Sequence, residues 1–550
     1  MLSLSIYCKH QKKKRLLTNN NIYLKFNLGF KWYSSKSIAV KGYFYVNDVF
    51  YEKEEALIYL ETSIQDKLDF NKRIETLNGV FTFIYLAEES IFIYSDITRS
   101  FPIFYTQQND EIFLSDDIYF LKSKFDIQEF DPLSENEFKG ANHTFGDKTL
   151  LQKVFQIQAS ELLEIKKSVI VHSNFKFTYA IEKESNLNAI DLRQKAIDSF
   201  ENSFKRLIKS IDNKTAVVPL SSGFDSRLII TMLKKYNKEN VICYTYGKSS
   251  SFEIKKSKKV AEILGYKWIF IEYDEALTNN YLNTNEFKNY IEFAGKLSSM
   301  PNLQEYFAVK ALKEKELIPS NSVFISGYAG DVLGGSEYLH SMPRDINHHE
   351  LAETIFEKKL TNYNFSNIEK KEIQADILSK LSKFNTNFQN KLGQTILDDH
   401  NLRERIAKYI FNSASYYAYF GYEFRFPFWD KTLLDFFKEV PIKYKYNKGL
   451  FNEVLINAFF KPFNVYFEED LQSKPKSKLS KKIKKQLKPF LPTFIKEKKV
   501  RFNDWNNYEL ITDQMLLFLK DKNVKVHRSY NNYNEIITQW YIYISKNELG

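Results

Sequence analysis

Residues 215–235 constrain the fold more than any other part of this 550-residue chain. Residues 215–220 are mostly β-branched and apolar, which is typical of a buried parallel strand. A turn rich in Ser and Gly follows, and apolar residues then recur at helical spacing over 227–235. This order of strand, tight turn and helix predicts a parallel α/β sheet with an anion-binding helix N-terminus beyond its edge.

The turn itself carries groups that suit a phosphate ligand. Ser221, Ser222 and Ser226 supply hydroxyls, and Gly223 lets a ligand approach the backbone closely. Asp225 alone would repel a phosphate, so we interpret its carboxylate as a Mg²⁺ ligand beside the phosphates. This turn lacks the Gly-Lys-Ser/Thr ending of the Walker loop, and the Gly-Lys-Ser at 247–249 lacks that loop's first Gly, because residue 242 is Ile. The alternative is an ordinary strand-to-helix turn with Ser and Asp caps.

A second strand and turn, at residues 323–336, repeat this pattern. The apolar run 323–325 ends in a glycine-rich turn that begins with Ser326 and Gly327 and carries one acid, Asp331. Because ligands of parallel sheets lie beyond the carboxyl ends of the strands, we expect Asp331 to meet Asp225 across one magnesium pyrophosphate. The alternative is a flexible loop with a capping aspartate.

Four segments, in this order, resemble motifs of the asparagine synthetase family. Residues 221–226 resemble its pyrophosphate loop, usually Ser-Gly-Gly-x-Asp-Ser, with a Ser in place of the first Gly. Residues 326–336 resemble its second acidic loop, and residues 421–430 resemble its Gly-x-Glu-x-Arg-x-Pro-Phe-x-Asp stretch. Lys448 falls at the position of the family's catalytic lysine. The alternative for Lys448 is a surface lysine, because lysines and tyrosines alternate just before it.

This resemblance implies a ligase that uses ATP and Mg²⁺. Family members join a carboxylate to the α-phosphorus of ATP, release pyrophosphate, and form an amide when an amine or ammonia displaces AMP. The resemblance implies Mg²⁺ binding by Asp225 and Asp331, catalysis by Lys448, and a structural pair, Glu423 and Arg425, that braces the pocket wall. It assigns the nucleotide and pyrophosphate to Leu220, Ser221, Ser222, Gly223, Asp225, Ser226, Tyr246, Gly247, Ser326 and Gly327.

Tyr328 departs from the pattern of the asparagine-forming enzymes, which usually carry Glu at this position. A Tyr here resembles the β-lactam-forming branch, in which a Tyr–Glu pair serves as the base. Tyr328 is therefore a second candidate catalytic residue, and Glu404 is the candidate for its acid. The acceptor amine is then not necessarily ammonia. The alternative is that Tyr328 packs in a chain with 16% aromatic residues.

The N-terminal half resembles a class II glutamine amidotransferase domain. Residues 77–85 and 91–96 predict two strands of a hairpin, joined by an acidic turn at 88–90. The run from 77 to 105 resembles the Leu-Asn-Gly-x-Phe-Ala-Phe … Arg-Asp-x-x-Gly-x-x-Pro-Leu-Tyr block of such domains.

The glutaminase chemistry is expected to be lost. Amidotransferases of this class use an N-terminal Cys whose own amine is the base, but Leu2 follows the initial Met here, and Cys8 would need cleavage before it to serve. Lys41 and Tyr43 replace the polar residues of the family's Asn-Gly-Glu glutamine clamp. We therefore expect the amine to be free ammonia, ammonia from a partner glutaminase, or another amine.

Composition limits the remaining possibilities. Two cysteines cannot build a disulfide framework, and no apolar run approaches a membrane span of about 18 residues, so we expect a cytoplasmic protein. The net charge of +11 is partly local, because eight lysines crowd residues 474–488. We interpret this segment as a solvated face. The alternative is an anionic partner surface, and no nucleic-acid-binding module accompanies the charge.

Together these features predict a two-domain protein of the α/β and α+β classes. We expect an Ntn-hydrolase-like layered β-sheet domain at 1–185, a doubly wound parallel-sheet domain of the adenine nucleotide α-hydrolase type with extra helices at 186–500, and a C-terminal helical extension at 501–550. The expected function is AMP-forming amide ligation, with aspartate as the default carboxylate. The alternatives are a β-lactam-synthetase-like or polysaccharide- or peptide-modifying ligase, and a non-catalytic nucleotide-binding scaffold.

Overall fold

The computed structural model describes residues 21–64, 67–336, 346–384, 391–471 and 491–549. Cys8 and the lysine-rich segment 474–488, on which two of the predictions rest, lie outside the described residues. The strands are β1 (Ile22–Tyr23), β2 (Trp32–Ser34), β3 (Ile38–Val46), β4 (Val49–Glu52), β5 (Asn78–Leu86), β6 (Ser90–Ser95), β7 (Phe104–Gln108), β8 (Glu111–Ser115), β9 (Val154–Gln156), β10 (Glu161–Lys166), β11 (Val169–Phe175), β12 (Thr215–Pro219), β13 (Val241–Gly247), β14 (Lys267–Glu272), β15 (Ser322–Ile325) and β16 (Glu423–Arg425).

The α-helices are α1 (Lys53–Ser63), α2 (Lys67–Thr76), α3 (Ile118–Lys124), α4 (Pro132–Ala141), α5 (Ala189–Ser210), α6 (Phe224–Lys235), α7 (Phe252–Leu264), α8 (Glu275–Thr278), α9 (Asn285–Gly295), α10 (Tyr306–Glu314), α11 (Gly330–Leu333), α12 (His348–Lys359), α13 (Asn367–Phe384), α14 (Gly393–Asn401), α15 (Ser415–Tyr419), α16 (Lys431–Glu439), α17 (Ile442–Lys445), α18 (Gly449–Val454), α19 (Thr493–Phe502), α20 (Tyr508–Asp521) and α21 (Asn534–Asn547). Short 3₁₀ and π segments join several of them, and the longest is the π-helical stretch Leu402–Ile410 after α14. Among the described residues, no helix combines the length and the apolar character needed to cross a bilayer.

Two sheets form the N-terminal part, as expected for a layered β-sheet domain. The larger sheet has the order β11-β10-β6-β5-β3-β2, and β4 also pairs with β3. Side chains alternate across a strand, so Phe81, Phe83 and Tyr85 of β5 pack with the helices α1 and α2. Ile84 points the other way, into the layer shared with the smaller sheet β1-β8-β7-β9. The predicted hairpin is confirmed, because β5 and β6 pair antiparallel.

A five-stranded parallel sheet forms the core of the second part, in the order β14-β13-β12-β15-β16. The chain runs outward from β12 through β13 to β14 and then returns to place β15 on the other side of β12. The strand order therefore reverses between β12 and β15, and ligands of doubly wound sheets bind at such a switch point. The predicted doubly wound fold is confirmed. The edge strand β16, within the motif at 421–430, was not among the predicted strands.

The last helices tie the two parts together. Tyr541 of α21 lies with its hydroxyl 3.2 Å from that of Tyr119 on α3, and it accepts a 2.9 Å hydrogen bond from the backbone N–H of Leu297. Residues 182–188, whose polar composition predicts the linker between the domains, contain no helix or strand. The helix after it begins where Asn188 accepts hydrogen bonds from the N–H groups of Ile190 and Asp191.

Candidate active site

A cavity of about 1190 Å³ lies beyond the carboxyl ends of β12 and β15, at the switch point of the parallel sheet. Both strands are short and are apolar after a first hydroxyl residue, and the chain turns polar where each strand ends, at one common edge. The predicted site residues that line the cavity are Leu220, Ser221, Gly223, Asp225, Ser226, Tyr246, Ser326, Gly327, Tyr328, Asp331 and Lys448.

The first loop is held rigid by its own hydroxyls. The backbone N–H of Ser221 donates to Oγ of Ser226 at 3.1 Å, and the N–H of Gly223 donates to Oγ of Ser221 at 3.1 Å. The helix α6 then begins at Phe224, with Gly223 as its N-cap and no side chain over its first N–H groups. These unpaired donors point into the cavity's edge and create a local positive potential, which suits an anion.

A buried arginine supports this loop from behind. Nη2 of Arg227 donates to the backbone oxygen of Ser222 at 2.9 Å, and Nη1 pairs with Asp470 at 2.5 Å. Ser222 is not part of the cavity lining, and its hydroxyl donates instead to Glu253 at 3.2 Å. Ser222 therefore contributes to the shape of the loop through its backbone.

Glycines let the second loop approach the first one. A Cβ at Gly330 would lie 2.9 Å from Cγ of Asp225, and a Cβ at Gly327 would lie 3.0 Å from the Cβ of Asp225. This close approach allows the backbone N–H of Asp331 to donate a 3.0 Å hydrogen bond to Oδ2 of Asp225. The two acidic loops thus meet across the switch point, as the sequence predicts.

Two carboxylates and one ammonium lie close together in this part of the cavity. Burial, and then repulsion from the carboxylate of Asp331, raise the pKa of Asp225 to about 7. Nζ of Lys448 lies 4.0 Å from Oδ2 of Asp331, at the start of α18. Two neighbouring carboxylates beside a phosphate-type loop suit a hard divalent cation that takes its other ligands from phosphate oxygens and water. The described residues contain no group of three or more His, Cys, Asp or Glu side chains that could hold a metal ion by themselves. Phosphate oxygens and water would have to complete the ligands of a cation at Asp225 and Asp331.

Aromatic side chains form the opposite end of the cavity. Tyr246 lines it and stacks on Tyr273, with ring centroids 5.4 Å apart. Trp505 and Asn506, from the segment before α20, close the same end. Gly247 lies behind this lining, and a Cβ there would meet the backbone oxygen of Trp505 at 2.5 Å. Gly247 therefore permits the C-terminal segment to pack against β13.

Tyr328 and Glu305 form a buried polar cluster in the cavity wall. The hydroxyl of Tyr328 lies 3.5 Å from Oε1 of Glu305 and contacts the hydroxyl of Tyr416. Tyr416 donates to Oε1 of Glu305 at 3.0 Å, Tyr417 donates to Oε2 at 2.7 Å, and Tyr244 also donates to Oε2. Burial raises the pKa of Glu305, although these hydroxyls oppose the shift, and it raises the pKa of Tyr328 far above its ordinary value.

The sequence model of the asparagine synthase family matches residues 198–516, which is more than half of the chain and includes every residue of the cavity. The chain belongs to the asparagine synthase family. Membership in this family indicates an ATP-dependent amide ligase that acts on small molecules. A comparison with curated proteins finds no significant match.

Solved structures give two further likenesses. An NH3-dependent NAD synthetase from Campylobacter jejuni, solved with nitrate, is 15% identical over 37% of this chain and 90% of its own, with a TM-score of 0.18. An NMN synthetase from Francisella tularensis is 13% identical over 38% of this chain and 78% of its own, with a TM-score of 0.16. At these scores, neither likeness bears on the function of this asparagine synthase family member.

The prediction that Glu404 is the acid partner of Tyr328 is wrong. Its carboxylate pairs with Lys408 at 2.7 Å and accepts the backbone N–H of Gly146 at 2.9 Å. Burial alone would raise the pKa of Glu404, but the ammonium of Lys408 outweighs it and brings the pKa to about 2. Glu404 thus anchors a loop of the N-terminal part, and Glu305 is the acid that contacts Tyr328.

Glu423 and Arg425 pair at 3.0 Å, but neither lines the cavity. The guanidinium of Arg425 lies 4.2 Å from the ring centroid of Tyr43 on β3, and Glu423 also pairs with Lys214 at 2.7 Å. The pair therefore braces the contact between β16 and the N-terminal sheet. It supports the cavity only through β16, which pairs with β15.

Sequence reasoning missed three parts of this site. Glu305 directly follows Gln304, and both line the cavity although neither lies in one of the four motifs. Trp505 and Asn506 had no recognisable motif. The available signal for Glu305 was a single acid directly before the apolar stretch 306–309, because an acid that is buried there needs hydrogen-bond donors.

Proposed function

We propose that this member of the asparagine synthase family is an AMP-forming ligase that activates a carboxylate with ATP, aspartate by default, and transfers the acyl group to an amine. The observation that carries this proposal is the convergence of Asp225, Asp331 and Lys448 in one cavity. These groups come from three distant segments. A turn with capping residues only, or a scaffold that had lost its chemistry, would not need to bring them together.

The cavity divides into regions that suit the parts of ATP. The N–H groups at the start of α6 and the hydroxyls of Ser221 and Ser226 suit the pyrophosphate. Asp225 and Asp331 would hold Mg²⁺, which neutralises phosphate charge when bound. The aromatic end at Tyr246 and Trp505 suits the adenine, since its flat apolar walls match a base.

The first step joins the carboxylate to the nucleotide. A carboxylate oxygen attacks the α-phosphorus of ATP, a new P–O bond forms, and the bond to pyrophosphate breaks. Lys448 offers a compact positive charge where negative charge grows on the α-phosphate oxygens. The donors of the first loop stabilise the pyrophosphate as it leaves.

The second step forms the amide. The amine nitrogen attacks the acyl carbon, the bond from that carbon to the oxygen of AMP breaks, and AMP leaves. The amine loses a proton in this step. We assign its path to Tyr328 and Glu305, with Tyr328 taking the amine proton while its own proton passes to the Glu305 carboxylate. Glu305 suits this role because its raised pKa favours proton uptake.

The Tyr328–Glu305 contact also supports a second candidate function. Asparagine-forming enzymes need no tyrosine at this position, so a specialised ligase that uses an amine other than ammonia is the alternative. Primary amines are more basic than ammonia and are almost fully protonated near neutral pH, so a base beside the acceptor would help them most. On the same proposal, the N-terminal part supplies no ammonia from glutamine, because Lys41 and Tyr43 are buried in packing contacts.

Product analysis tests the proposal. The protein is incubated with ATP, Mg²⁺ and a panel of carboxylates that begins with aspartate, together with ammonium, glutamine or a primary amine. We expect AMP and pyrophosphate in equal amounts with the amide, from ammonium or an amine but not from glutamine. ADP and phosphate as products would contradict the proposal, and activity with glutamine would contradict the loss of the glutaminase.

A further inference from the structure

A second cavity lies between the N-terminal sheets and the ligase part, and three cationic side chains line it. Its volume is about 30 Å³. Lys41 comes from β3, Arg99 from the turn after β6, and Lys296 from the residue after α9. The first two belong to the N-terminal part and the third to the ligase part. We call this the interdomain cation cavity.

Of the three cationic side chains, Lys296 has the fewest polar partners. Only 9% of this residue is exposed, and among the described residues its ammonium makes no hydrogen bond or ion pair. Within the described part of the chain, this ammonium lies 4.9 Å from the ring centroid of Phe293. An ammonium buried in this way is costly unless an anion or several acceptors surround it.

The other two cations are held in place by neutral acceptors. Nζ of Lys41 donates to the backbone oxygen of Phe26 at 2.8 Å and lies over the ring of Phe101. Nε of Arg99 donates to the backbone oxygen of Ile157 at 3.0 Å, and Nη2 contacts Gln156. Neither has a carboxylate within ion-pair distance among the described residues. Their positive charges therefore have no carboxylate in direct contact at the cavity.

One acid, Asp116, lines the cavity, and its carboxylate already accepts hydrogen bonds from other groups. Asp116 accepts the backbone N–H groups of Lys25 at 2.7 Å and Phe26 at 3.1 Å, and the indole N–H of Trp32 at 2.8 Å. It pairs with none of the three cations at the distances of an ion pair. The cavity thus holds an excess of positive charge in an apolar setting that includes Phe293, Phe411 and Phe424.

We propose that the interdomain cation cavity binds one small monovalent anion of about the size of chloride. The charge sets the sign of the ligand, and the small volume of about 30 Å³ favours an ion of one or a few atoms. The anion accepts from Lys296 on one side and faces Lys41 and Arg99 on the other. It links the ligase part to the N-terminal part and compensates the buried charge of Lys296.

This proposal does not depend on the reaction at the other cavity. The anion has no part in the chemistry at Asp225, and its effect is on the stability of the contact between the two parts. A failure of the ligase proposal would leave the anion site untouched, because binding and unfolding are measured without substrate.

Thermal unfolding at constant ionic strength tests the anion site. Sodium chloride replaces sodium gluconate stepwise in the full-length protein, and formate, acetate and phosphate serve as larger probes. We expect the unfolding temperature to rise saturably with chloride, less with acetate, and not with gluconate or phosphate. An unfolding temperature that is the same in chloride and gluconate would overturn the proposal, and an equal rise with phosphate would overturn the assigned size.

Two lysine variants, one on α9 and one at the residue after it, make the test specific. Lys296→Met removes the buried ammonium and keeps its length, and we expect the chloride concentration for half of the shift to rise about tenfold or more. Lys288→Met removes an exposed charge from α9, and the chloride response should match that of the wild type. An unchanged response in Lys296→Met would overturn the proposal.

A direct measurement on the wild type covers the case in which Lys296→Met does not fold. Crystals grown with bromide in place of chloride should show an anomalous peak among Lys41, Arg99 and Lys296. A bromide-containing crystal without a peak in this cavity would contradict the site, whatever the behaviour of the variants.

Discussion

The backbone N–H of Asp331 donates a 3.0 Å hydrogen bond to Oδ2 of Asp225, across the switch point of the parallel sheet. This bond fixes the distance between two acids that are more than a hundred positions apart in sequence. It also places both beside Lys448, whose Nζ lies 4.0 Å from Asp331. The relationship explains why two glycine-rich loops, each unremarkable alone, together form one candidate site.

Asp225→Asn should remove activity while keeping the loops in place. The Asn oxygen can still accept the N–H of Asp331, so the substitution deletes charge and little else. We expect ATP-dependent pyrophosphate release to fall about 100-fold or more, because a group that compensates phosphate charge is lost. The control is Asp521→Asn, an exposed residue at the end of α20, which should keep wild-type rates. Activity of Asp225→Asn near that of the control would rule out the assigned role.

Variants at Lys448 and Lys443 compare a proposed catalytic lysine with a surface lysine. Lys443 is exposed five positions earlier, whereas Lys448 lines the cavity. We expect Lys448→Met to lower kcat about 100-fold or more, since the α-phosphate loses its positive charge, and Lys443→Met to leave kcat unchanged. Steady-state AMP formation gives the comparison. Equal kcat values in the two variants would show that Lys448 has no catalytic role.

Tyr328→Phe should separate the two half-reactions. Activation of the carboxylate needs no proton transfer at Tyr328, so exchange of labelled pyrophosphate into ATP should persist. Amide formation should fall about 100-fold or more, as expected on removal of a general base. Tyr417→Phe is the matched control, because its hydroxyl also bonds Glu305, at 2.7 Å, but does not line the cavity. A parallel loss in both variants would indicate a structural role for the whole tyrosine cluster.

Lys296 should make the stability of the protein depend on pH. Burial, and then repulsion from Lys41 and Arg99, lower its pKa to about 7, while Asp116 and Asp117 oppose this shift. The unfolded chain keeps a pKa near 10.5, so between these values it binds more protons and stability rises with pH.

The urea midpoint at pH 7, 8 and 9, in gluconate, measures this contribution. In Lys296→Met the rise should be smaller, by up to about 1.4 kcal/mol for each pH unit, than in the wild type. Lys288→Met should keep the wild-type rise. A slope in Lys296→Met identical to that of the wild type would show that the ammonium of Lys296 is solvated in the folded protein.

Local patterns in the sequence carried much of the fold. The mostly apolar runs at 215–220 and 77–85 predict β12 and β5, because a buried strand needs apolar side chains along most of its length. The contact between Asp225 and Asp331 followed from one general rule about parallel sheets. The structure adds the order of the strands, which makes the two loops neighbours.

Contacts between residues far apart in the sequence could not be predicted from such local patterns. Glu305 meets Tyr328, Tyr416 and Tyr417 only after β15 and α15 have packed, and nothing in the spacing of these residues reveals the meeting. Glu404 was chosen for its position in the sequence, but its carboxylate satisfies the buried ammonium of Lys408 instead. A buried charge pairs with an opposite charge that is near in space, and the separation of two residues in the sequence does not reveal their distance in the fold.

The most direct test of the central claim follows an oxygen atom. The protein is given a carboxylate substrate labelled with ¹⁸O, together with ATP and the amine that supports turnover, and the products are analysed by mass spectrometry. An acyl-adenylate requires that one labelled oxygen leaves with AMP, because the bond from the acyl carbon to that oxygen breaks in the second step. We predict one ¹⁸O in AMP and none in pyrophosphate. Label in inorganic phosphate, or AMP without label, would contradict the account.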